Sequence, residues 1–514
     1  MNQILSGNMD VMIMAFATII SQVASSIHSQ NNFLTDGRVT CRYQQLPTLL
    51  TAIDRYLREQ GITGASCVAL ECTNSVPGAL TLLYLFERQY RFMLLPPTSD
   101  KEKLTDRKPL PAFCQYQLTL QPISDREISA DSLHPATFLT INANEQYQAE
   151  SHATEQLRAK LYLRTSGSMG SAKIVVHAHE QLFANARNAV ARFQLTSADR
   201  VTIAVPIFHM YGLGAGFLPA IIAGAAIDLQ EHTHLLKYLE HERQFKPTAA
   251  FLTPALCDML LQRRGGARTY RVAVSAGARL KAEIIRAFDE RFGPLVNLYG
   301  SSELGAVSAA APTDALELRA TTIGRPLAGV TLAPAADVPA LDAGEKPDAS
   351  ASAAAAPRTD ELYCRHPYGF ETYIDDYGQE IAAAATWFKT GDLATFSPDG
   401  SIRILGRADN SVNRDGYLVL LADIERAIEQ IAAVAQVVVL TTPDERERGQ
   451  YLAACCVLHP GTQLTAMQIR TQCFDILPRY AIPDEIFILD LLPTLPSGKV
   501  DRQALITQVG AIHD

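Results

Sequence analysis

The chain has 514 residues, a length that accommodates two to four folded domains. Hydrophobic residues make up 47%, charged residues 19% and aromatic residues 7%, which excludes a disordered, collagen-like or coiled-coil protein. The formal net charge is −9, from 45 Lys plus Arg against 54 Asp plus Glu, without long blocks of one sign. This balance favours neither nucleic acid nor an anionic membrane as a partner, so a folded enzyme or binding protein is expected.

Cysteine usage and the N-terminal residues indicate a cytoplasmic protein without a membrane span. The nine cysteines are odd in number and scattered, with no C-x-x-C pair, a usage typical of a reducing compartment. The most apolar N-terminal stretch, Val11–Ala24, is too short to span a membrane and has no basic residue before it. We therefore expect a packed helix there. A signal sequence or membrane anchor is the alternative interpretation.

From about residue 65 onward, short apolar runs alternate with helical patterns, which is the signature of parallel βαβ units. The predicted strands are Cys67–Leu70, Tyr90–Leu95, Val201–Val205, Ala225–Leu229, Thr248–Leu252, Tyr270–Ala276 and Leu295–Leu298, and the predicted helices include Gly78–Arg88 and Tyr211–Ala223. Sheets of this kind are buried on both faces and bind ligands at the carboxyl ends of their strands.

The last third of the chain changes character. Residues Pro334–Pro357 are rich in Ala, Asp, Ser and Pro, which predicts an exposed, mobile loop. After Gly406 the patterns predict helices at Leu421–Ile431 and Ala466–Phe474 and strands at Val434–Leu440 and Tyr451–Leu458. We therefore predict an α/β fold: a large N-terminal domain of doubly wound mixed sheets with helices (residues 1–408) and a small α+β C-terminal lid domain (residues 409–514).

The first segment that carries chemistry runs from Leu163 to Leu182. It contains a cluster of hydroxyl residues, glycines and one lysine: Thr165, Ser166, Gly167, Ser168, Gly170 and Lys173. Small residues let backbone N–H groups approach phosphate oxygens, so this pattern predicts a phosphate-binding loop. It is not a Walker loop, because Ala172 stands where that motif needs Gly and Ile174 where it needs Ser or Thr. A flexible surface turn is the alternative interpretation.

The second segment, Asn297–Gly305, directly follows a predicted strand. Tyr299 offers a stacking face, Ser301 and Ser302 offer hydroxyls, and Glu303 offers a carboxylate that could hold magnesium against phosphates. Alone, the segment could equally be a strand-to-helix turn with a capping serine.

Two further segments follow at Trp387–Asn410 and Leu492–Leu505. In the former, Asp392 is an acceptor suited to ribose hydroxyls and Arg407 is a donor; hairpin turns are predicted at Gly391 and at Asp399-Gly400. In the latter, a tight turn presents Lys499. A lone lysine near the C-terminus is otherwise a solvated surface charge.

In this order and spacing, the four segments resemble the adenylate-forming superfamily: acyl- and aryl-CoA synthetases, nonribosomal peptide adenylation domains and firefly luciferase. The resemblance covers roughly Tyr162–Leu505. Unrelated folds have no reason to carry all four segments in sequence, so the combination is specific.

The resemblance implies ATP and Mg²⁺ as cofactors and a role for each matching residue. The residues implied for ATP are Thr165, Ser166, Gly167, Ser168, Gly170 and Lys173 around the phosphates, Tyr299 and Gly277 near adenine, Ser302 at the α-phosphate, and Asp392 and Arg407 on the ribose. Glu303 would bind magnesium, Lys499 would bridge the carboxylate and the phosphate, and Asp409 would be the hinge on which the C-terminal domain rotates. The implied catalytic set is Lys499, Glu303 and Ser302.

The sequence departs from the family pattern at several positions. Ala172 replaces the usual Pro, Ile174 and Asp360 each replace a usual Gly, and Asn413 occupies a position that is often Lys. The set of Glu303, Asp392, Arg407 and Lys499 is intact, which argues against a degenerate relative.

The segment Pro206–Gly214 bears on the substrate. Peptide-type adenylation domains usually carry Phe-Asp here, with the Asp pairing the substrate's α-ammonium, whereas this chain has Phe208-His209. By resemblance, Phe208 and His209 would border the acid together with Ala276, Gly277 and Gly300. A hydrogen-bonded core residue is the alternative interpretation of His209. His177 and His179 have no third ligand nearby in sequence, so we do not expect a metal there.

We therefore expect the enzyme to activate a small carboxylic acid without an α-amine, such as an aryl, aryl-propenoic or fatty acid. The acceptor would be the pantetheine thiol of coenzyme A. Two alternatives remain open: a stand-alone ligase that loads the phosphopantetheine of an acyl carrier protein, and a non-catalytic nucleotide or acyl binder.

Overall fold

The computed structural model describes residues 16–26, 30–98, 109–123, 128–129, 132–148, 159–165, 173–230, 235–262, 269–278, 280–339, 358–398, 400–408, 411–414, 417–443, 450–495 and 500–513. By its internal contacts the chain divides into a first unit, Met1–Leu332 with Cys364–Phe388, and a second unit, Ala333–Tyr363 with Lys389–Asp514.

The α-helices in the described residues, in chain order, are α1 (Phe16–Ser25), α2 (Leu46–Glu59), α3 (Val76–Glu87), α4 (Pro135–Phe138), α5 (His179–Phe193), α6 (Leu218–Ile222), α7 (Leu235–Phe245), α8 (Pro254–Gln262), α9 (Ala282–Phe292), α10 (Leu316–Thr321), α11 (Leu421–Ile428), α12 (Ala466–Ile476) and α13 (Arg502–His513).

The β-strands up to residue 309 are β1 (Phe33–Thr35), β2 (Val39–Arg42), β3 (Cys67–Glu71), β4 (Arg91–Leu95), β5 (Tyr116–Leu120), β6 (Ile128–Ser129), β7 (Leu139–Ala143), β8 (Lys160–Arg164), β9 (Ile174–Ala178), β10 (Arg200–Ile203), β11 (Ala226–Leu229), β12 (Ala249–Leu252), β13 (Val272–Ser275), β14 (Leu295–Ser301) and β15 (Gly305–Ala309). The later strands are β16 (Arg325–Pro326), β17 (Thr331–Pro334), β18 (Arg358–Arg365), β19 (Thr372–Ile374), β20 (Glu380–Ala383), β21 (Phe388–Phe396), β22 (Ile402–Arg407), β23 (Ser411–Arg414), β24 (Tyr417–Leu420), β25 (Val434–Pro443), β26 (Gln450–Leu458) and β27 (Glu485–Ile488).

Two mixed sheets form the first unit, as the sequence predicts. The larger has the strand order β16-β15-β14-β13-β12-β10-β11-β1-β2-β6, and the smaller has the order β20-β19-β9-β8-β4-β3-β5-β7. Strands β11, β10, β12, β13 and β14 run parallel, so their carboxyl ends lie at one edge of the larger sheet. In the smaller sheet, β5, β3, β4 and β8 are parallel and β9 and β19 are antiparallel additions.

Helix α3 illustrates why these segments fold as they do. Its first turn is capped by Ser75, whose Oγ accepts a 3.1 Å hydrogen bond from the backbone N–H of Gly78. Every residue from Val76 to Phe86 is buried, because the helix is apolar on all sides and lies inside the unit. The predicted helix at Gly78–Arg88 is confirmed with its start two residues earlier.

The other predicted strands and helices of the first unit also occur, with ends shifted by a few residues. The predicted helix at Tyr211–Ala223 begins as a π-helix, Tyr211–Phe217, and continues as α6. A side chain at Gly212 would place its Cβ 2.1 Å from the carbonyl oxygen of Pro206, so glycine is required at this wide turn. The predicted N-terminal helix appears as α1, and residues 11–15 of that prediction lie outside the described residues.

The second unit contains sheets with the strand orders β17-β18-β21-β22, β23-β24 and β25-β26-β27. Helices α11 and α12 pack on the last of these through a core that includes Ile424, Ile428, Val439, Leu452 and Ile469. The predicted helices and strands beyond residue 420 are confirmed, whereas the domain boundary after residue 408 stays a prediction. Of the predicted loop at Pro334–Pro357, residues 335–337 form a 3-10 turn and residues 340–357 lie outside the described residues.

No helix in the described part of the chain is long and apolar enough to cross a membrane. All nine cysteines lie in the described part and are buried, reduced thiols.

Candidate active site

The predicted phosphate loop connects two antiparallel strands. Strands β8 and β9 pair with Arg164 opposite Ile174, and the N–H and Oγ1 of Thr165 donate to the carbonyl oxygen of Lys173 across 3.0 and 3.2 Å. Thr165 and Lys173 therefore close the base of a hairpin, which differs from the strand-to-helix connection of a Walker loop. Four predicted phosphate-loop residues, Ser166, Gly167, Ser168 and Gly170, lie outside the described residues.

Ser302 and Glu303 lie in the turn between β14 and β15, which pair as a hairpin. The alternative of a strand-to-helix turn is therefore wrong. The Oγ of Ser301 accepts a 3.1 Å hydrogen bond from the N–H of Leu304 and closes the turn. A Cβ on Gly300 would lie 2.1 Å from the carbonyl oxygen of Gly305, so the two strands approach this closely only with glycine at position 300.

Residues distant in sequence hold this turn in place. The Nε2 of His177, on β9, lies 2.7 Å from the carbonyl oxygen of Ser302 and must act as donor, since a carbonyl only accepts. Burial lowers the pKa of His177 to about 4, so the ring is neutral at physiological pH. The N–H of Phe370 donates to the carbonyl oxygen of Glu303 across 2.8 Å.

Asn185 and His366 support the strand that follows the turn. The side chain of Asn185 donates to the carbonyl oxygen of Ala306 across 2.7 Å and accepts from its N–H across 2.9 Å. His366 Nε2 lies 3.1 Å from the same carbonyl oxygen and 3.2 Å from Asn185 Nδ2, and burial lowers the pKa of His366. No local sequence pattern marks either residue, so neither is among the predicted site residues.

Tyr373 is a further residue of the site that is not among the predicted ones. Its hydroxyl donates to Glu303 Oε1 across 3.3 Å, and the ammonium of Lys173 lies 5.2 Å from its ring centroid. Burial, followed by the nearby Glu303 carboxylate, raises the pKa of Tyr373 above its ordinary value, so the hydroxyl stays protonated. The only sequence signal is a run of aromatic residues at Tyr368, Phe370 and Tyr373.

The predicted acid- and adenine-binding residues lie at the carboxyl edge of the larger sheet. Phe208 and His209 follow β10, Ala276 and Gly277 follow β13, and Tyr299 and Gly300 lie near the end of β14. These three strands are parallel members of one sheet, and ligands bind at such an edge. Gly277 has φ +87°, and no described atom lies within 4 Å of the position that its Cβ would take.

The segment that carries His209 is anchored on both sides. Before it, Asn74 accepts from the N–H of Ile207 across 2.8 Å and donates to the carbonyl oxygen of Val205 across 2.9 Å. After it, the hydroxyl of Tyr211 lies 2.7 Å from the carbonyl oxygen of Val274, at the end of β13. The rings of Phe208 and His209 lie 4.5 Å apart.

The predicted ribose-binding pair lies in the second unit. Asp392 on β21 is directly opposite Arg407 on β22, with 3.6 Å between Asp392 Oδ1 and Arg407 Nη1. Arg407 also donates to the carbonyl oxygen of Thr390 across 2.9 Å, and the Oγ1 of Thr390 accepts from the N–H of Asp392 across 3.1 Å. Both predicted residues are therefore brought together.

The two predicted hairpin turns near this pair have different outcomes. The turn at Gly391 is wrong, because Gly391 lies inside β21 with φ +72° and leaves room for the Arg407 guanidinium, 2.8 Å from where a Cβ would be. The turn at Gly400 is confirmed by its N–H donating to the carbonyl oxygen of Ser397 across 3.0 Å. Asp409 and Lys499 lie outside the described residues.

The carboxylate of Glu303 is a suitable ligand for the magnesium ion that the family pattern implies. In the described part of the chain, no three or more His, Cys, Asp or Glu residues cluster as a metal cage. Magnesium that accompanies a nucleotide is held mainly by phosphate oxygens and water, with one or two protein carboxylates. A single half-buried carboxylate in a fixed turn meets that requirement.

Comparison with known proteins agrees with this geometry. Residues 24–337 match the model of the AMP-binding enzyme family, and residues 423–499 match that of the AMP-binding enzyme C-terminal domain. Indoleacetate–CoA ligase of Aromatoleum aromaticum is 26% identical over 486 residues, covering 90% of this chain and 91% of that protein. Oxalate–CoA ligase of Arabidopsis thaliana is 24% identical over 513 residues, covering 94% of this chain and 96% of that protein.

A solved structure extends the similarity to the fold. The o-succinylbenzoate CoA synthetase of Bacillus subtilis, in complex with its acyl-adenylate intermediate, superposes with a TM-score of 0.75 at 20% identity, covering 95% of this chain and 97% of that chain. Since the first family model alone spans more than half of the sequence, the chain belongs to the AMP-binding family of adenylate-forming enzymes.

Proposed function

We propose that this enzyme is an AMP-forming acid–CoA ligase that acts on a carboxylic acid without an α-amine. The observation that carries the proposal is the meeting of Lys173, at the base of the phosphate loop, and Glu303, in the β14–β15 turn, at the side chain of Tyr373. A cation for phosphate and a carboxylate for magnesium are what an ATP-dependent adenylation needs in one place. The names of the two curated relatives, both CoA ligases, support the same reaction.

In the first half-reaction, a carboxylate oxygen of the substrate attacks the α-phosphorus of ATP. The bond from this phosphorus to the β-phosphate oxygen breaks, and pyrophosphate leaves. Thr165 and Lys173 would hold the phosphates, Ser302 would contact the α-phosphate, and Glu303 would hold Mg²⁺. The magnesium ion, when bound, offsets the charge that develops on the phosphate oxygens. Lys499 would bridge the carboxylate and the α-phosphate.

In the second half-reaction, the thiol sulfur of coenzyme A attacks the acyl carbon. The carbon–oxygen bond to AMP breaks, AMP leaves, and the thiol proton passes to solvent. Asp409 would serve as the hinge for the movement of the C-terminal domain between the two steps. Asp392 and Arg407 would hold the ribose, and Tyr299 and Gly277 would border adenine.

The substrate class rests on the residues at the carboxyl edge of the larger sheet. By resemblance, His209 would occupy the position at which peptide-type adenylation domains carry the Asp that pairs with the substrate's α-ammonium group. The adjacent Phe208 ring is apolar, and its centroid lies 4.5 Å from that of His209. These side chains, with Ala276 and Gly300, favour an aryl, aryl-propenoic or fatty acid. The cysteine usage of the chain supports a cytoplasmic location, where coenzyme A and ATP are available.

Pyrophosphate release with ATP and Mg²⁺ across a panel of aryl, aryl-propenoic, fatty and amino acids tests this proposal. We expect release with one class of non-amino acid, accelerated by coenzyme A. Acyl transfer to a purified carrier protein instead of coenzyme A would favour the carrier-loading alternative. ATP binding without release for any acid would contradict the ligase and favour the non-catalytic binder.

A further inference from the structure

Tyr373 lies against Glu303 and Lys173, the two charged residues that would bind magnesium and the ATP phosphates in the proposed function. Its hydroxyl donates to Glu303 Oε1 across 3.3 Å, and the ammonium of Lys173 lies 5.2 Å from its ring centroid. Among the described residues, no ion pair joins Lys173 directly to Glu303. One neutral side chain thus lies against both a cation and a carboxylate.

Backbone pairing fixes the position of this side chain. Strand β19 runs antiparallel to β9, with Tyr373 opposite Val175, so Tyr373 lies beside the end of the phosphate loop. The ring of Phe370 packs on that of Tyr373 with centroids 4.6 Å apart, and the N–H of Phe370 donates to the carbonyl oxygen of Glu303 across 2.8 Å. The same segment therefore holds both the backbone and the carboxylate of Glu303.

Two ion pairs bracket Tyr373 and hold its segment to strand β8. Lys160 Nζ lies 2.6 Å from Glu371 Oε2, and Arg164 Nη2 lies 2.7 Å from Asp376 Oδ1. Lys160 and Arg164 are the first and last residues of β8, the strand that leads into the phosphate loop. The loop entry and the strand that carries Tyr373 are thereby held together at two points.

We propose that Tyr373 is a positioning residue for magnesium-ATP. Its hydroxyl orients the Glu303 carboxylate toward the metal by engaging one of the two carboxylate oxygens, and its ring supports Lys173 at the base of the phosphate loop. This inference rests on the proposed function, because that function supplies the ligand.

The test compares ATP binding by calorimetry with and without Mg²⁺, in the absence of any acid substrate. Tyr373→Phe removes the hydroxyl and keeps the ring, whereas Tyr373→Leu removes both. Tyr377→Phe is the matched control, because Tyr377 lies four residues further on and is 61% exposed. Thermal unfolding of each variant checks that it is folded.

For Tyr373→Phe, we expect the gain in ATP affinity that Mg²⁺ confers to fall by roughly 3- to 10-fold, the net worth of one ordinary hydrogen bond, because the contact with Glu303 is long at 3.3 Å. Its affinity for ATP without Mg²⁺ should stay unchanged. Tyr373→Leu should in addition weaken metal-free ATP binding by roughly 2- to 5-fold, because Lys173 loses the ring face. Tyr377→Phe should match the wild type in both measurements.

A double-substitution cycle tests whether Tyr373 acts through Glu303. In a Glu303→Gln background, Tyr373→Phe should cause no further loss of the magnesium-dependent gain. Additive losses would overturn the proposal, as would a Tyr373→Phe variant with the wild-type gain or with equal losses in both measurements. If Tyr373→Phe does not fold, Glu303→Asp withdraws the carboxylate from the same hydroxyl, and an undiminished gain would overturn the proposal.

These binding measurements are independent of turnover. If the wild type binds magnesium-ATP but releases no pyrophosphate with any acid, the ligase function fails while the binding results still decide the role of Tyr373.

Discussion

The Nε2 of His177 donates a 2.7 Å hydrogen bond to the carbonyl oxygen of Ser302. This contact joins the strand that leaves the phosphate loop to the turn that carries Glu303, across 125 residues of sequence. The proximity of His177 and His179 in sequence could suggest a metal site. Instead, the side chain of His177 donates a hydrogen bond to the backbone. Its buried position places a titratable group directly under the candidate active site.

Acid should destabilise the first unit through its buried histidines. Burial lowers the pKa of His177 to about 4 and that of His179 to about 3, from an ordinary value of 6.5. Below pH 6.5 the unfolded chain therefore binds more protons than the folded chain. The contribution of these neutral histidines to the free energy of unfolding is complete above that pH, and it is lost as pH falls toward their pKa values in the folded chain. The free energy of unfolding should fall by roughly 2 kcal/mol per histidine between pH 7.5 and 5.0, measured by urea denaturation.

His179→Phe provides the matched variant for this pH dependence. The His179 ring packs against Phe86 and Phe92 with centroids 4.8 and 5.4 Å apart, so another aromatic ring is compatible with the site. In the variant, the decrease in the free energy of unfolding between pH 7.5 and 5.0 should be smaller by roughly 2 kcal/mol, the share of one histidine. An unchanged dependence on pH would show that His179 does not contribute to it.

Gly300→Ala should disrupt the hairpin that carries Ser302 and Glu303. The added Cβ would lie 2.1 Å from the carbonyl oxygen of Gly305, a backbone atom that moves only if the two strands separate. We expect loss of pyrophosphate release together with a free energy of unfolding lowered by about 1–3 kcal/mol, the usual cost of such overpacking. Gly64→Ala is the control, since no described atom lies within 4 Å of its Cβ position, and equal effects of the two changes would contradict this account.

Asp392→Asn should weaken ATP binding with little effect on stability. Loss of a charged acceptor for a ribose hydroxyl is worth roughly 1.5–3 kcal/mol, so the KM for ATP should rise roughly 10- to 100-fold. Asp423→Asn is the control, because Asp423 pairs with Arg426 across 3.0 Å at the exposed face of α11. A KM that is the same in both variants would remove Asp392 from the ATP site.

Lys499→Ala should slow adenylation by roughly 10²- to 10³-fold, by analogy with the loss of one preorganised charge-stabilising donor. Acyl transfer to coenzyme A from a supplied acyl-adenylate should continue, because pyrophosphate is not involved in that step. Pyrophosphate release and thioester formation are measured separately on the same preparation. Wild-type pyrophosphate release by the variant would rule out the assigned role.

Local patterns in the sequence were sufficient for much of the fold. The alternation of apolar strands and helices identified the parallel strands β10–β14, and the order of four motifs identified the family. Hydrophobic periodicity is a property of neighbouring residues, so it survives without knowledge of the tertiary structure. The position of Gly391 was misjudged for the same reason, since a glycine with φ +72° inside a strand has the local appearance of a turn.

Sequence patterns alone are enough to assign the α/β class, the family and the residue types that the chemistry requires. The residues that support them are defined by tertiary contacts: Tyr373 beside Glu303, His177 beneath Ser302, and Asn185 with His366 against Ala306. These contacts join residues 60 to 125 positions apart. They depend on the register of β9 with β19 and on the meeting of two sheets, which long-range packing selects and which no local pattern encodes.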